Sequence, residues 1–214
     1  MTFLRALPVR FAQAVLFALA ITIAGTGLAQ AATPAEDFIQ TNVQRGLGIL
    51  NDHALAPDQK RDQFRTFLES LTDLRRVALF TLGPAGRTAS QGDKDAFVQA
   101  FHDYAVSVYN SRLSHYDGQV LKVTGSQQRA AGDFVVNTVL LDPPGQMSRG
   151  GPTRIDFRVL DDGGRLVLMD VSVEGIWLSL EERDQFVSFL ADHNNDVRAL
   201  AQHLEDLTTA QKSR

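Results

Sequence analysis

The fold is decided by one alternating stretch, TRIDFRVLDDGGRLVLMDVSVE, at residues 153–174. Apolar and charged side chains alternate over residues 153–160, which predicts a strand with one apolar and one charged face. The Asp-Asp-Gly-Gly sequence at residues 161–164 predicts a tight hairpin turn, because glycine adopts positive φ at little steric cost. The return strand, residues 165–174, is predicted to place four apolar residues on one side: Val167, Met169, Val171 and Val173.

Two more strands are predicted upstream of this hairpin. Residues 119–124 and 134–141 are rich in β-branched residues and are separated by the glycine-containing segment 125–132. Together the four strands are expected to form a curved antiparallel meander. The connection at residues 142–152 holds three prolines and three glycines, is too long for a tight turn and is expected to be a mobile flap.

Helical patterns flank the predicted sheet on both sides. Upstream, apolar residues recur at helical spacing in four segments: residues 35–51, residues 57–71 behind Pro57, residues 74–82 before Gly83, and a helix capped by Ser90. Downstream, Ser179 and Glu182 form a predicted capping box, and residues 194–196 are predicted to cap a last helix. The expected class is α+β, with a helical first half, two C-terminal helices, and helices packed on one face of the sheet.

The N-terminus carries the pattern of a secretory signal peptide at residues 1–31. Arg5 and Arg10 precede an apolar run at residues 11–24, and a small-residue exit ends at Ala31. An uncleaved membrane anchor is the alternative, although the run is shorter than the roughly 20 residues that a span needs. Cleavage after Ala31 would leave a single soluble domain at residues 32–214, with 19 basic and 25 acidic residues and a formal charge of −6.

The composition excludes several classes of protein. The chain has 214 residues, of which 44% are hydrophobic and 21% charged, and it has no cysteine. This apolar fraction suits a packed core and excludes a disordered chain, a collagen and a disulfide scaffold. The formal charge of −4 provides no basic surface for a phosphate backbone, so no nucleic acid is expected as a partner.

The sequence lacks motifs for metal, cofactor and nucleophile chemistry. No two of the five histidines have the four-residue spacing that places two imidazoles on one helical face, and cysteine ligands are absent. There is no Gly-x-Ser-x-Gly elbow and no Ser-x-x-Lys pair. No metal and no cofactor are therefore expected. One enzymatic alternative stays open, an isomerase or hydrolase that uses Asp156 or Asp170 with Tyr104.

Large apolar side chains are concentrated on the helical faces that would cover the small sheet. They are Phe67, Phe80, Phe97, Phe101, Tyr104, Phe186 and Phe189. Phe157 and the last strand would form the opposing wall. Helices splayed over a curved sheet often leave a concave apolar cavity, which suits a lipid better than a polar metabolite. The alternative is a structural adaptor in which these side chains fill a solid core.

Five segments, taken in order, resemble the MlaC family of periplasmic lipid carriers. They are residues 71–83 (LTDLRRVALFTLG), 95–104 (DAFVQAFHDY), 155–164 (IDFRVLDDGG), 169–176 (MDVSVEGI) and 183–186 (RDQF). The most specific of them is DVSVEGI at residues 170–176, followed by Arg183, Gln185 and Phe186. The resemblance covers nearly the whole of residues 32–214.

The resemblance implies an NTF2-like fold with an acyl-chain pocket between sheet and helices. It also implies a component of an ABC-type transport system that maintains outer-membrane lipid asymmetry. Such a carrier moves phospholipid between an inner-membrane MCE-domain complex and an outer-membrane lipoprotein. A hopanoid or another lipid is an alternative ligand, since a related branch of the family belongs to hopanoid-synthesis gene clusters. The residues expected to contact lipid are Phe67, Leu71, Leu74, Phe80, Phe97, Phe101, Tyr104, Val108, Phe157, Val171, Val173, Phe186 and Phe189.

Two segments depart from the pattern of the family. Residues 84–86 stand before Arg87 where the family commonly has an aromatic pair. Trp177 and the acidic pair at residues 181–182 stand where the family often has a small polar residue and an Asn-Tyr pair. These departures leave the identity of the lipid open.

Overall fold

Five helices precede the sheet in the part of the chain that the structure describes. The computed structural model describes residues 32–113, 118–143 and 151–212. The helices are α1 (Pro34–Leu50), α2 (Pro57–Leu71), α3 (Leu74–Thr81), α4 (Ala85–Thr88) and α5 (Gln91–Leu113). Four of them correspond to the predicted helices, and α4 is a single additional turn. The predicted signal peptide at residues 1–31, and residues 144–150 of the predicted flap, lie outside the described residues.

An antiparallel sheet and two further helices complete the described fold. The strands are β1 (Val120–Ala130), β2 (Asp133–Leu141), β3 (Thr153–Asp162), β4 (Arg165–Val173) and β5 (Ile176–Trp177). They are ordered β1-β2-β3-β4-β5, so each strand pairs with its neighbours in sequence. The chain then forms α6 (Leu178–Asp192) and α7 (Val197–Lys212). The predicted α+β meander with two C-terminal helices is confirmed, and the two-residue β5 is an addition to it.

β1 is longer than the sequence analysis predicted. The expected loop at residues 125–132 is mostly strand, because β1 continues to Ala130. The register shifts between Val123 and Gly125, which pair with the adjacent residues Thr138 and Asn137 of β2. A β-bulge of this kind lets the strand continue through Gly125, although glycine in a sequence often indicates a turn. The turn itself is confined to residues 131–132.

β4 also contains a bulge, and this changes which residues share a face. Asp170 and Leu168 pair with successive residues of β3, so Met169 is the extra residue. The shift places Leu168 on the same face as Val171 and places Val167 on the opposite face. The prediction that Val167 lies on the same side as Val171 is therefore wrong.

Two of the predicted helix caps are confirmed. Ser90 Oγ accepts a hydrogen bond from the backbone N–H of Asp93 at 3.1 Å, at the start of α5. Asp196 Oδ1 accepts one from the backbone N–H of Ala199 at 3.1 Å, at the start of α7. Each cap satisfies an N–H group that the first turn of a helix leaves without an intrahelical partner.

A carboxylate from the sheet caps α6. This helix begins at Leu178, so the predicted capping box of Ser179 and Glu182 is wrong. Instead, Asp170 Oδ1 on β4 accepts a hydrogen bond from the backbone N–H of Ser179 at 3.1 Å. The Ser179 hydroxyl also donates to Asp170 Oδ2. These bonds tie the first turn of α6 to β4.

Buried apolar residues form two separate clusters. The helical cluster joins α3, α5, α6 and α7, and its largest members are Leu82, Phe97, Phe101, Phe186, Leu190, Leu200 and Leu204. Within it, the Phe186 ring meets the rings of Phe97 and Phe101 edge to face, with centroids 5.9 and 6.2 Å apart. The sheet cluster joins α1 to the sheet through the buried residues Ala35, Ile39, Val136 and Val159.

Gly83 allows α6 to pack closely against the end of α3. It has a φ of +56°, and a Cβ at this position would lie 2.7 Å from Cγ2 of Val187 on α6. A side chain at this position would be strained by its backbone conformation and by this contact. The same two helices are joined by a cation–π contact, since the guanidinium of Arg183 lies 4.9 Å from the centroid of the Phe80 ring.

Replacing Gly83 with alanine is expected to lower the free energy of unfolding by about 1–3 kcal/mol, because alanine must adopt positive φ and displace Val187. Urea unfolding followed by circular dichroism measures the change. Gly48→Ala is the control, since nothing lies within 4 Å of a Cβ at Gly48 and alanine favours the helix. An undiminished stability of Gly83→Ala would contradict the close approach.

Candidate functional site

A large cavity lies between α1, α2 and the apolar face of the sheet. Its volume is about 480 Å³. α1 contributes Phe38, Ile39, Asn42, Val43, Gly46, Leu47 and Leu50; α2 contributes Phe64, Phe67, Leu68 and Leu71; the sheet side contributes Gln119, Leu121, Leu140, Ile155, Phe157 and Leu168. The helical spacing of α1 and the two-residue period of the strands thus bring apolar side chains to the same space.

A smaller cavity lies between α2, α3, α5, β4 and the start of α6. Its volume is about 170 Å³. It is lined by Phe64, Arg65, Leu68, Glu69, Thr72, Leu74, Val77, Phe101, Tyr104, Ala105, Val106, Val108, Leu168, Met169, Asp170, Val171, Leu178, Ser179 and Glu182. Several of these side chains pack against the helical cluster, whereas Leu168 packs against the sheet cluster. This cavity therefore occupies space that the two clusters leave between them.

Three residues line both cavities, namely Phe64, Leu68 and Leu168. Phe64 and Leu68 are one turn apart on α2, and Leu168 faces them from β4. A β-bridge between Thr72 and Leu168 holds the end of α2 against β4. We call Phe64, Leu68 and Leu168 the ridge, because they lie where the two cavities adjoin.

Polar side chains are few on the larger cavity, where the described wall has Asn42 and Gln119. Asn42 Nδ2 donates a hydrogen bond to the carbonyl of Phe38 at 2.8 Å, and Asn42 Oδ1 accepts one from Arg45 at 3.1 Å. Because the hydrogen bonds of Asn42 are made within α1, the larger cavity presents a mainly apolar surface to a ligand.

The smaller cavity has a more polar wall, which includes Arg65, Glu69, Thr72, Tyr104, Asp170, Ser179 and Glu182. Glu69 Oε1 lies 2.7 Å from Nε2 of His102. Burial alone would lower the pKa of His102, but its hydrogen bonds to Asp103 and Glu69 outweigh that effect and raise the pKa. The Glu69 carboxylate at this cavity is therefore paired with the His102 side chain.

Glu182 is the polar residue of this wall whose hydrogen bonding is incomplete. Its Oε2 atom is inaccessible to solvent and has no hydrogen-bond partner among the residues that the structure describes. Burial raises the pKa of the Glu182 carboxyl, and the negative charge of Glu181 raises it further. The protonated form is thus favoured relative to an exposed glutamate.

Two of the three residues of the enzymatic alternative share a cavity. Asp170 and Tyr104 line the smaller cavity, whereas Asp156 lines neither cavity. Asp156 accepts a hydrogen bond from Asn137 at 2.9 Å and forms an ion pair with Arg154 at 3.2 Å. These contacts, together with the α6 cap made by Asp170, give both carboxylates structural partners.

Eight of the thirteen expected lipid-contacting residues line a cavity. Phe67, Leu71 and Phe157 line the larger one. Leu74, Phe101, Tyr104, Val108 and Val171 line the smaller one. The other five, which line neither cavity, are Phe80, Phe97, Val173, Phe186 and Phe189.

These five residues have other surroundings. Phe97 and Phe186 are buried in the helical cluster. Phe189 stacks on the rings of His193 and His203, with centroids 3.9 and 4.7 Å away. Phe80 and Val173 are exposed. An aromatic residue on a helical face can thus meet a core, another ring or solvent, and its spacing alone does not distinguish these cases.

The sequence analysis missed most of the wall of the larger cavity. The missed apolar residues include Phe38, Ile39, Val43, Leu47 and Leu50 of α1, together with the ridge and Leu121, Leu140 and Ile155. A sequence signal existed, because Ile39, Val43, Leu47 and Leu50 follow helical spacing. That stripe predicted a buried helical face but not a cavity beneath it.

The described residues hold no arrangement suited to a metal ion. Within residues 32–113, 118–143 and 151–212, no group of three or more histidine, aspartate or glutamate side chains is placed to coordinate one. In the same ranges, no helix is both long enough and apolar enough to cross a bilayer.

Comparison with known proteins gives two findings. The sequence profile of the family described as MlaC protein matches residues 40–206. A solved structure described as the phospholipid-binding protein from Ralstonia solanacearum in complex with a phospholipid matches with a TM-score of 0.72 and 20% sequence identity. The match covers 84% of this chain and 99% of that chain. The likeness shows that this chain shares the fold of that structure, which agrees with the predicted α+β class.

Replacing Glu182 with glutamine is expected to make the pH dependence of stability shallower in lipid-free protein. A raised pKa means that the folded state binds more protons, so the wild type loses stability as pH rises from about 4.3 through the raised pKa of Glu182. Urea unfolding from pH 4 to 8 measures this. Glu205→Gln, at an exposed glutamate on α7, is the control, and a profile of Glu182→Gln identical to wild type would contradict the burial argument.

Proposed function

The chain belongs to the MlaC family, and on that premise we propose that it is a periplasmic carrier that binds a phospholipid. The observation that carries the proposal is the larger cavity, with a volume of about 480 Å³ and a mainly apolar wall. The Ralstonia solanacearum relative, described in complex with a phospholipid, supports the ligand class. The acyl chains would occupy the larger cavity.

The size of the larger cavity suits a hydrocarbon chain. An apolar cavity of about 150 Å³ holds a benzene-sized ligand, and this one is about three times as large. Each buried methylene group contributes roughly 0.8 kcal/mol, so a long chain gains several kcal/mol on entering. A carrier needs an enclosing cavity because an acyl chain carried through water on an open surface would stay hydrated.

The proposed transport route follows from the family and from the sequence. Residues 1–31 would direct export and be removed, leaving the carrier domain at residues 32–214. The domain would exchange lipid with an inner-membrane MCE-domain complex and an outer-membrane lipoprotein. A formal charge of −6 on the mature chain favours docking on protein partners over adsorption to anionic head groups.

We propose a binding protein in preference to an enzyme. Asp170 and Tyr104 share the smaller cavity, which is the observation in favour of a hydrolase or isomerase. However, both oxygens of Asp170 already accept hydrogen bonds from Ser179, and Oδ1 also accepts one from the N–H of Val171. A carboxylate engaged in this way is poorly placed to take a proton from a substrate. A carrier leaves the mass of its bound lipid unchanged on incubation, whereas an enzyme converts it.

Mature protein purified from cells is expected to contain a phospholipid. Extraction with organic solvent followed by mass spectrometry identifies it, and circular dichroism shows whether the protein is folded. Folded protein that contains no lipid would contradict the proposal. A polycyclic hopanoid in place of a phospholipid would retain the carrier function and change its ligand.

Replacing Leu47 with tryptophan is expected to lower the affinity for lipid about tenfold. The indole would fill space along α1 and exclude about two methylene groups, at roughly 0.8 kcal/mol each. Lipid binding from vesicles, quantified by mass spectrometry, measures the effect. Gln44→Trp adds the same side chain at an exposed position of α1 and serves as the matched control. Equal lipid binding by the two variants would show that the acyl chains lie elsewhere.

A further inference from the structure

The larger cavity has room for about one long acyl chain. An apolar cavity of about 150 Å³ holds a benzene ring, so a cavity of about 480 Å³ holds roughly twenty chain carbons. A phospholipid carries two acyl chains of comparable length, and together they exceed this volume. A carrier of such a lipid therefore gains from further enclosed space.

The smaller cavity offers such space beside the larger one. Its volume of about 170 Å³ suits about six chain carbons on the same scale. The two cavities adjoin at the ridge, whose three side chains are only partly buried and can change rotamer. The end of a chain that reaches the ridge from the larger cavity can thus enter the smaller one.

Most of the wall of the smaller cavity is apolar. Twelve of the nineteen described residues that line it have apolar side chains, among them Val77, Ala105 and Val171. They come from α3, α5 and β4, so hydrocarbon surface faces this space from three elements. An acyl chain is attracted to such a wall because it buries its methylene groups there.

The charged groups of the same wall have partners within the described chain. Asp170 is bonded to the backbone and hydroxyl of Ser179 at the start of α6. Glu69 is bonded to His102 at 2.7 Å and lies 3.9 Å from the guanidinium of Arg65. A hydrocarbon chain neither donates nor accepts hydrogen bonds, so it leaves these pairs intact.

Glu182 also fits an apolar occupant better than an anionic one. Burial and the negative charge of Glu181 raise the pKa of the Glu182 carboxyl and favour its neutral form. A neutral carboxyl costs less beside a hydrocarbon chain than a carboxylate does. A phosphate would be repelled by the carboxylates of Glu69 and Asp170 in this wall. The occupant is therefore a chain rather than a head group.

We propose that the smaller cavity is a chain-end subsite, which holds the last carbons of one acyl chain that has passed the ridge. The rest of the chains lies in the larger cavity, and the phosphate head group stays outside both. This inference rests on the proposed lipid-binding function and adds selection by acyl-chain length, since the space beyond the ridge sets how long a chain is enclosed.

A competition between two chain lengths tests the subsite. Lipid-free mature protein is incubated with vesicles that contain equal amounts of two phosphatidylglycerols, one with fourteen-carbon and one with eighteen-carbon monounsaturated chains. The protein is then isolated again, and its lipid extract is quantified by mass spectrometry. The ratio of longer to shorter lipid is compared between variants, because the tendency of each lipid to leave the vesicle is the same for all of them.

Ala105→Phe is designed to fill the smaller cavity. Among the described residues, Ala105 of α5 lines the smaller cavity and not the larger one, and a phenyl ring has the size of benzene. The ratio should fall at least about tenfold below wild type, because the burial of two methylene groups corresponds to about tenfold in an equilibrium constant. Ala191→Phe adds the same ring at an exposed position of α6 and should keep the wild-type ratio.

Each contradictory outcome identifies what fails. A ratio for folded Ala105→Phe at or above that of Ala191→Phe overturns the chain-end subsite and leaves the carrier function standing. Folded wild type that binds neither lipid overturns both.

A second measurement needs no variant and applies if Ala105→Phe does not fold. Wild type is crystallised with a phospholipid that carries a bromine atom at the end of each acyl chain. An anomalous bromine peak between α5 and β4, beside Ala105 and Val171, is expected. Bromine peaks confined to the larger cavity or to the outer surface would overturn the subsite.

Discussion

The apolar face of the sheet is not fully covered by the helices, and the rest of the molecule depends on this constraint. α1 packs Ala35 and Ile39 against Val136 and Val159, which closes one region of that face. The helical cluster forms separately around Phe97 and neighbouring residues. The smaller cavity lies between these two clusters, and the larger one lies beside the sheet cluster, between α1, α2 and the sheet. Stability thus comes from two cores, and the larger cavity is available for a ligand.

Polar contacts fix the positions of α2 and α6 relative to the sheet. Asp170 caps α6 from β4, and the bridge of Thr72 to Leu168 fixes the end of α2 on the sheet. A hydrogen bond has directional geometry, whereas apolar packing has little, so these contacts set the position of the helices more sharply than burial does. The ridge between the cavities is a consequence of where they place α2.

The sequence predicted the fold closely because local patterns decided most of it. Alternation in β3 and the caps at Ser90 and Asp196 were each readable from a few residues. The bulge at Met169 could not be predicted in this way, because a bulge sets two residues of one strand opposite one residue of its partner and therefore depends on both strands. The site was harder to predict than the fold, because it depends on what each helical face packs against. The face of Phe97 meets a core and the face of Leu47 meets a cavity, although both follow helical spacing. Glu182 becomes notable only once its burial is known.

The central claim is that the space between α1, α2 and the sheet holds the acyl chains of a lipid. A crystal structure of the mature protein, purified with its native lipid and without added detergent, tests it most directly. The account predicts continuous chain-like density in contact with Val43, Leu47 and Phe157, with the ridge beside it. Lipid density on the outer surface of the helices, with that cavity filled by water or closed, would contradict it.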